Sequence, residues 1–408
     1  MKVLICAIVL LFCFQIPFYV SDFELTYIVS KAVVPVLGFC LGFLVLFSGV
    51  GSRETKNAEI FVVIYLGLLI SVSVLMSMLF HSQAFLGSFM AQAKLLQGLN
   101  FFLMLWFLRF WKVAPERFSK IFIAVAICLT TFYLLAFFFV DANVWWSLDS
   151  YLFINDAKGY RIRFPSFLSV ILYFFLLHYV KEKKSLVAVL LLVGVSFFVF
   201  VALKQRLEAL AIAIVSCFII FSGRLRGYIV IAGGVLAMVL TGFYFSALYN
   251  LITSDTSYVA RARQIDYVFD IWADYPILVL FGVGRLSSIS GNLYQESLGF
   301  EFHISDLGWF GLLHEFGLIG VCLIIIFVFS LIRAVKRFIS VGLKSDLYLA
   351  KSFLSYIYMT LILSLLAPRF LYVSGVFLSI YAISLYCSDY YRANSWKRIV
   401  EVERGSEN

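Results

Sequence analysis

The sequence predicts an all-α integral membrane protein, a polytopic transmembrane helical bundle of about twelve spans with a large, partly helical extracytoplasmic loop. Three observations predict it. Of the 408 residues, 63% are hydrophobic and only 13% charged, against roughly 45–50% and about 25% in soluble domains. Apolar runs near the length of about 20 residues that a bilayer core demands recur along the chain. The basic residues are spread unevenly over the connections between those runs. No polar stretch is long enough for an independent domain, so residues 1–408 read as a single integral membrane domain.

In chain order the candidate spans are 3–20, 27–50, 59–81, 95–111, 119–140, 165–181, 185–203, 207–222, 227–248, 306–330, 350–367 and 370–387. Lys2 ahead of the first run resembles the start of a signal peptide, but the exit Phe18-Tyr19-Val20-Ser21 lacks the small-x-small cleavage pattern, so the run reads as a retained helix. With the amino terminus cytoplasmic, 21 of the 32 Lys and Arg fall at inside ends and loops, while the acids favour the outside. The inside then carries about +12 and the outside about −3, which together make the formal charge of +9. Positive-inside topology thus accounts for the basic balance, puts both termini in the cytoplasm, and removes the need for a nucleic-acid partner. Two outer loops are long, 141–164 and 249–305. In the second, Ile265, Tyr267, Val268, Phe269, Ile271 and Trp272 recur at helical spacing until Pro276, Gly282 and Gly284 interrupt the pattern. It reads as a folded lid on the outer membrane face.

The seven cysteines all sit in apolar runs and read as small buried hydrophobes. The four histidines are too scattered for a metal motif, so neither a metal nor another cofactor is indicated. Outward-facing cations run against the orienting bias and call for a reason. Lys204 and Arg206 occupy a tight outer turn with Glu208 just below, Arg261 and Arg263 open the second long loop, and Arg285 follows Gly282-Val283-Gly284. An anionic, lipid-linked substrate needs such groups, because guanidinium forks bind phosphate oxygens bidentately. The alternative is that they snorkel to headgroups or pair with neighbouring acids. Residues 303–320, HISDLGWFGLLHEFGLIG, set two histidines and two acids where a span is ordinarily apolar. If one helix runs through both histidines, His303 and His314 share a face about three turns apart, with Asp306 one turn from His303 and able to fix its tautomer. His314 and Glu315 are then either substrate-binding groups or a satisfied pair bridging neighbouring helices. No strand precedes Gly282-Val283-Gly284, which excludes a dinucleotide site, and no P-loop, nucleophile elbow or kinase signature is present. The loop aromatics Trp145, Trp146, Tyr151, Trp272, Tyr275 and Tyr294 fit an interfacial belt.

The ordered series of Arg206 at a tight outer turn, two spans, the loop with Arg261-Ala262-Arg263, an aromatic-rich helix, Pro276, the FGVG of Phe281–Gly284, His303 and the EFGLIG of Glu315–Gly320 resembles the O-antigen polymerase and O-antigen ligase superfamily. The resemblance covers roughly residues 200–325. It implies an inverting glycosyltransferase of a bacterial inner membrane, acting without a metal at the periplasmic face on a saccharide linked to undecaprenyl pyrophosphate. Carried over by position, Arg206 and one of Arg261 or Arg263 grip the pyrophosphate and His303 assists the acceptor hydroxyl. A chain-length regulator protein is a further partner the resemblance implies. The ligase pattern has Asn after the histidine, where this chain has Ile304, so the polymerase, which makes O-antigen or another exopolysaccharide, is expected over the ligase. A transporter or flippase of lipid-linked sugars is the reading from another class. It fits less well, because transporters place charge at the midplane of repeated halves, whereas here charge gathers at one face and no repeat is visible.

Overall fold

The computed structural model describes residues 2–14, 16, 36–40, 52–139, 153–156, 159–162, 166–202, 206–221, 256–286, 307–364 and 374–406. In chain order the helices are α1 (Lys2–Cys13), α2 (Arg53–His81), α3 (Phe85–Met90), α4 (Ala93–Leu96), α5 (Asn100–Phe110), α6 (Pro115–Phe139), α7 (Phe167–Lys183), α8 (Leu186–Phe197), α9 (Arg206–Ile220), α10 (Thr256–Asp274), α11 (Ile277–Phe281), α12 (Gly308–Val341), α13 (Lys344–Ser364) and α14 (Ser374–Ser406). Between α6 and α7 the helical expectation gains one short hairpin, in which β1 (Phe153–Asp156) pairs antiparallel with β2 (Gly159–Ile162), Phe153 opposite Ile162.

Among the described residues four helices are long and apolar enough to cross a membrane: α2, α6, α12 and residues Asp346–Ser364 of α13. Lys2–Cys13, Leu186–Val201 and Glu208–Ile220 are shorter apolar helices. Residues 227–248, and 27–50 apart from 36–40, lie outside the described residues. Helix starts follow local chemistry. Ser52 caps α2, its Oγ accepting from Thr55 N at 3.2 Å, an arrangement worth about 1 kcal/mol. Pro115 opens α6, in the first turn, where a backbone N–H has no intrahelical acceptor to miss. A π-helical stretch, Phe198–Ala202, follows α8.

The predicted span 95–111 is not one helix. The chain turns through α3, α4, a 3₁₀ turn at Gln97–Leu99 and then α5. The cause is polar: Gln92, Gln97 and Asn100 are buried, and Asn100 Nδ2 donates to Phe12 O and to Gln97 Oε1, each at 3.3 Å. Gly98 permits the turn's close approach, since a Cβ there would meet Leu378 Cδ1 at 2.6 Å and Leu66 Cδ2 at 2.9 Å.

Between apolar helices in lipid, packing and interhelical hydrogen bonds replace the hydrophobic drive. An aromatic series links the centre of the bundle: Tyr65 of α2 stacks on Phe327 of α12 at 4.8 Å, Phe327 meets Tyr381 of α14 at 5.9 Å, and Tyr381 meets Phe101 of α5 at 5.7 Å. Serines of α14 serve as polar contacts, Ser374 Oγ donating to Lys94 O at 2.5 Å and Ser379 Oγ to Cys13 O at 3.0 Å. The cysteine expectation holds in part. Cys6, Cys13 and Cys387 are buried, Cys217 is half-buried, and Cys40, Cys128 and Cys322 are exposed on apolar helix surfaces.

At one end of the bundle the charged residues pair. Arg109 Nη1 donates to the buried Glu59 Oε1 at 2.5 Å, Lys351 Nζ to Glu182 Oε1 at 2.7 Å, and Ser119 Oγ to the buried Asp346 Oδ1 at 2.7 Å. Arg109 and Lys351 are among the basic residues that the charge pattern assigns to the cytoplasm.

Candidate functional site

The polar groups of the opposite end converge on an interruption in α12. Gly317 has φ 64° and ψ −177°, so the helix stops and restarts around it. Such a φ suits glycine alone, and a Cβ at Gly317 would collide with Leu280 O. The break frees the carbonyls of the preceding turn. Val283 N donates to His314 O at 2.9 Å and Gly284 N to Glu315 O at 3.1 Å, satisfying groups that a buried helix end would otherwise leave unpaired.

The donor loop is held by what precedes it. Pro276 caps α11, which ends at Gly282 with φ 73°. Gly284 lies so close to α2 that a Cβ there would strike Ser77 N and Ser73 O. Arg285 N then donates to Ser73 Oγ at 3.1 Å, and the same hydroxyl accepts from Gln92 Nε2 at 2.9 Å. A small apolar cluster, Ile271, Leu278 and Val283 with Met76, Phe80, Tyr267 and Trp272 against it, fastens α10 and α11 to the end of α2. Burial raises the Tyr267 phenol above its usual range.

The Arg285 side chain turns inward. Its Nε lies 3.0 Å from Glu315 Oε1, with the two side chains 14% and 4% exposed. Lys94, just before the 3₁₀ turn, also interacts electrostatically with Glu315, and His81 with His314, which is fully buried. Two cations therefore bear on one carboxylate. The arrangement can fix a guanidinium rigidly in a low-dielectric setting, where each charge contact counts for more than in water.

Of the residues expected from sequence, the structure brings Arg285, His314 and Glu315 together. Arg206 is the first residue of α9, and Arg261 and Arg263 lie in the first half of α10, each placed by its backbone. Lys204, His303 and Asp306 lie outside the described residues. Helix α12 begins at Gly308, so the shared helical face of His303 and His314 does not extend through described structure. Lys94, His81, Ser73 and Gln92 were missed. Lys94 carried the same signal as the chosen arginines, a cation on the side that the charge bias disfavours. Among the described residues no group of three or more His, Cys, Asp or Glu is arranged to hold a metal ion.

No family model matches the sequence, and comparison with curated proteins finds no significant match.

Proposed function

We propose that this chain polymerises undecaprenyl-pyrophosphate-linked oligosaccharide repeat units into O-antigen or exopolysaccharide at the periplasmic face of a bacterial inner membrane, as an inverting, metal-independent glycosyltransferase of about twelve spans with both termini cytoplasmic. The observation that supports the reading is the contact between two of its ordered motifs: the FGVG of Phe281–Gly284 donates to the backbone of the EFGLIG that starts at Glu315. The joint sits where α10, which carries Arg261 and Arg263, and α11 pack against the end of α2.

In the reaction the acceptor hydroxyl oxygen attacks the anomeric carbon, the bond from that carbon to the pyrophosphate oxygen breaks, and lipid pyrophosphate departs. The hydroxyl proton passes to His303, with Asp306 orienting the ring. Arg206, Lys204 and one of Arg261 or Arg263 stabilise the charge that develops on the diphosphate. Arg285 is held by Glu315 and positions the loop that carries it.

The transfer of a finished glycan to lipid A core, the ligase reaction, shares this chemistry. A transporter or flippase is favoured by one observation, the broken helix α12, since transporters bind cargo at such breaks. Here, however, the freed carbonyls of His314 and Glu315 already accept from Val283 and Gly284, so they do not offer themselves to an ion.

The test is a deletion strain complemented in trans, read as the electrophoretic ladder of surface polysaccharide. Wild type restores the ladder, Arg206→Ala gives none, and Arg206→Lys restores it in part, because a point charge replaces a bidentate fork. A normal ladder from Arg206→Ala at normal abundance overturns the reading.

A further inference from the structure

The paired end of the bundle also holds a cavity of about 270 Å³ between α2, α12 and α14, lined among others by Glu54, Asn57, Ser330, Arg333, Arg337 and Tyr381. It is smaller than the roughly 300–1,000 Å³ of sites that enclose a whole small molecule, and so suits a headgroup. Its charge is unbalanced. Glu54 Oε2 already accepts from Arg337 Nη1 and, at 3.1 Å, from Arg392 Nη1. The nearby Asp389 is engaged at the start of α2, accepting from Ser52 Oγ at 2.9 Å and from Thr55 Oγ1. Arg333, one turn before Arg337 on the same helix face, is exposed and has no ion pair or hydrogen bond of its side chain among the described residues.

The groove opens onto apolar surface along both helices. Ile60 and Ile64 follow Asn57 along one face of α2, and Ile326 and Phe329 precede Ser330 and Arg333 on α12; all four are exposed, Phe329 to 69%. A free guanidinium beside a polar cavity at the end of an apolar furrow matches a phosphate that carries acyl chains. We infer that this groove binds an anionic glycerophospholipid, with Arg333 gripping its phosphate and the acyl chains lying along Ile60, Ile64 and Phe329. The site lies at the other end of α2 and α12 from the α10–α12 joint, lined by residues within Glu54–Phe61 and Ser330–Arg337 rather than by Ser73–Ser77 and His314–Gly317, so it stands whether or not the chain transfers sugars.

Native mass spectrometry of the full chain in detergent, with phosphatidylglycerol, phosphatidylcholine or sodium phosphate added, tests it. Phosphatidylglycerol is expected to be retained at least about tenfold more tightly than phosphatidylcholine, as one charged hydrogen bond allows, and millimolar phosphate does not compete. Arg333→Gln loses that preference by about tenfold and Arg333→Lys by less, while Lys120→Gln, which removes a charge elsewhere, keeps it. Arg333→Gln removes no side-chain ion pair or hydrogen bond among the described residues, so its melting temperature without lipid is expected to stay that of wild type. Equal retention of the two lipids, an Arg333→Gln variant with undiminished preference, or displacement of phosphatidylglycerol by inorganic phosphate would each overturn the inference.

Discussion

Gly282 and Gly317 lie backbone to backbone: a Cβ on Gly282 would sit 2.6 Å from Gly317 N and 2.5 Å from Glu315 O. Each has positive φ, 73° and 64°. Either glycine replaced by alanine therefore meets both an unfavourable backbone region, costing about 1–2 kcal/mol, and a clash with main-chain atoms that cannot swing aside. Gly317→Ala and Gly282→Ala should both lower the melting temperature in detergent. Gly67, in the middle of α2, has nothing within 4 Å of its Cβ position, so Gly67→Ala should be neutral or stabilising by up to about 1 kcal/mol. A Gly317→Ala variant as stable as Gly67→Ala would show that the α12 break does not form.

The Arg285–Glu315 pair separates two roles that sequence leaves entangled. Removing one partner of a buried pair leaves the other charge uncompensated, at a cost of about 3–5 kcal/mol, whereas replacing both by apolar groups is often neutral. Glu315→Leu and Arg285→Met should each destabilise strongly, and the double variant should recover most of the loss. If Arg285 also contacts substrate, the double variant regains stability but not polymer. Recovery of both would assign the pair to structure alone. Stability in detergent and the polysaccharide ladder are the two readouts.

The long apolar helices were legible in the sequence because length and hydropathy are local: α2 spans the run 59–81, and α6 and α12 span 119–139 and 308–330 of the runs 119–140 and 306–330. The interruption at 91–99 was written in the same stretch, since Gln92, Lys94, Gln97 and Asn100 interrupt the apolar pattern, yet averaging over about 20 residues hides four polar side chains. The α12 break was not legible. Gly317 in an apolar run reads as a small packing residue, and what permits its φ is a pair of N–H donors at Val283 and Gly284, more than thirty residues earlier in the chain. The Arg285–Glu315 contact is hidden for the same reason, although both residues were singled out as candidates. Lys94 immediately precedes the predicted span 95–111, and nothing local to it shows that the chain turns there and brings it to Glu315.

At the paired end, Glu182 lies one residue beyond the predicted span 165–181, and hydrogen bonds donated by Lys351 and Tyr348 hold its carboxyl below the usual range. A folded-state pKa that is depressed contributes stability at pH above the unfolded value, and that stability is lost as pH falls through the folded value. Both side chains of the ion pair are partly exposed, so the contribution is at most about 1 kcal/mol and shrinks with salt. Melting temperature measured from pH 7 down to pH 3 should fall slightly more steeply for wild type than for Glu182→Gln. Parallel curves at low salt would show that the bond does not form in solution.

His303 and His314 now make unequal predictions for different reasons. His314 is fully buried in α12 beside the break, its carbonyl bonded to Val283 N, so truncating it removes packing and should act through stability. His303 is the proposed acceptor-side base, and its loss should act on the chemical step. With purified protein and lipid-linked repeat units, His303→Ala should retain the wild-type melting temperature and lose about 10²–10⁴ in rate, the usual contribution of a general base. Asp306→Asn should give a smaller defect and move the acid limb of the pH–rate profile to lower pH, because a carboxylate one turn away raises the basicity of the imidazole. His314→Ala should melt earlier but keep its rate per folded molecule. If His303→Ala is near wild type while folded His314→Ala is inactive, the reacting centre lies at the α12 break, and Arg285 with Lys94 replaces Arg206 as the pair facing the diphosphate. If both folded variants remain active, no histidine takes the proton, and arginine-assisted departure of the diphosphate is the main source of rate.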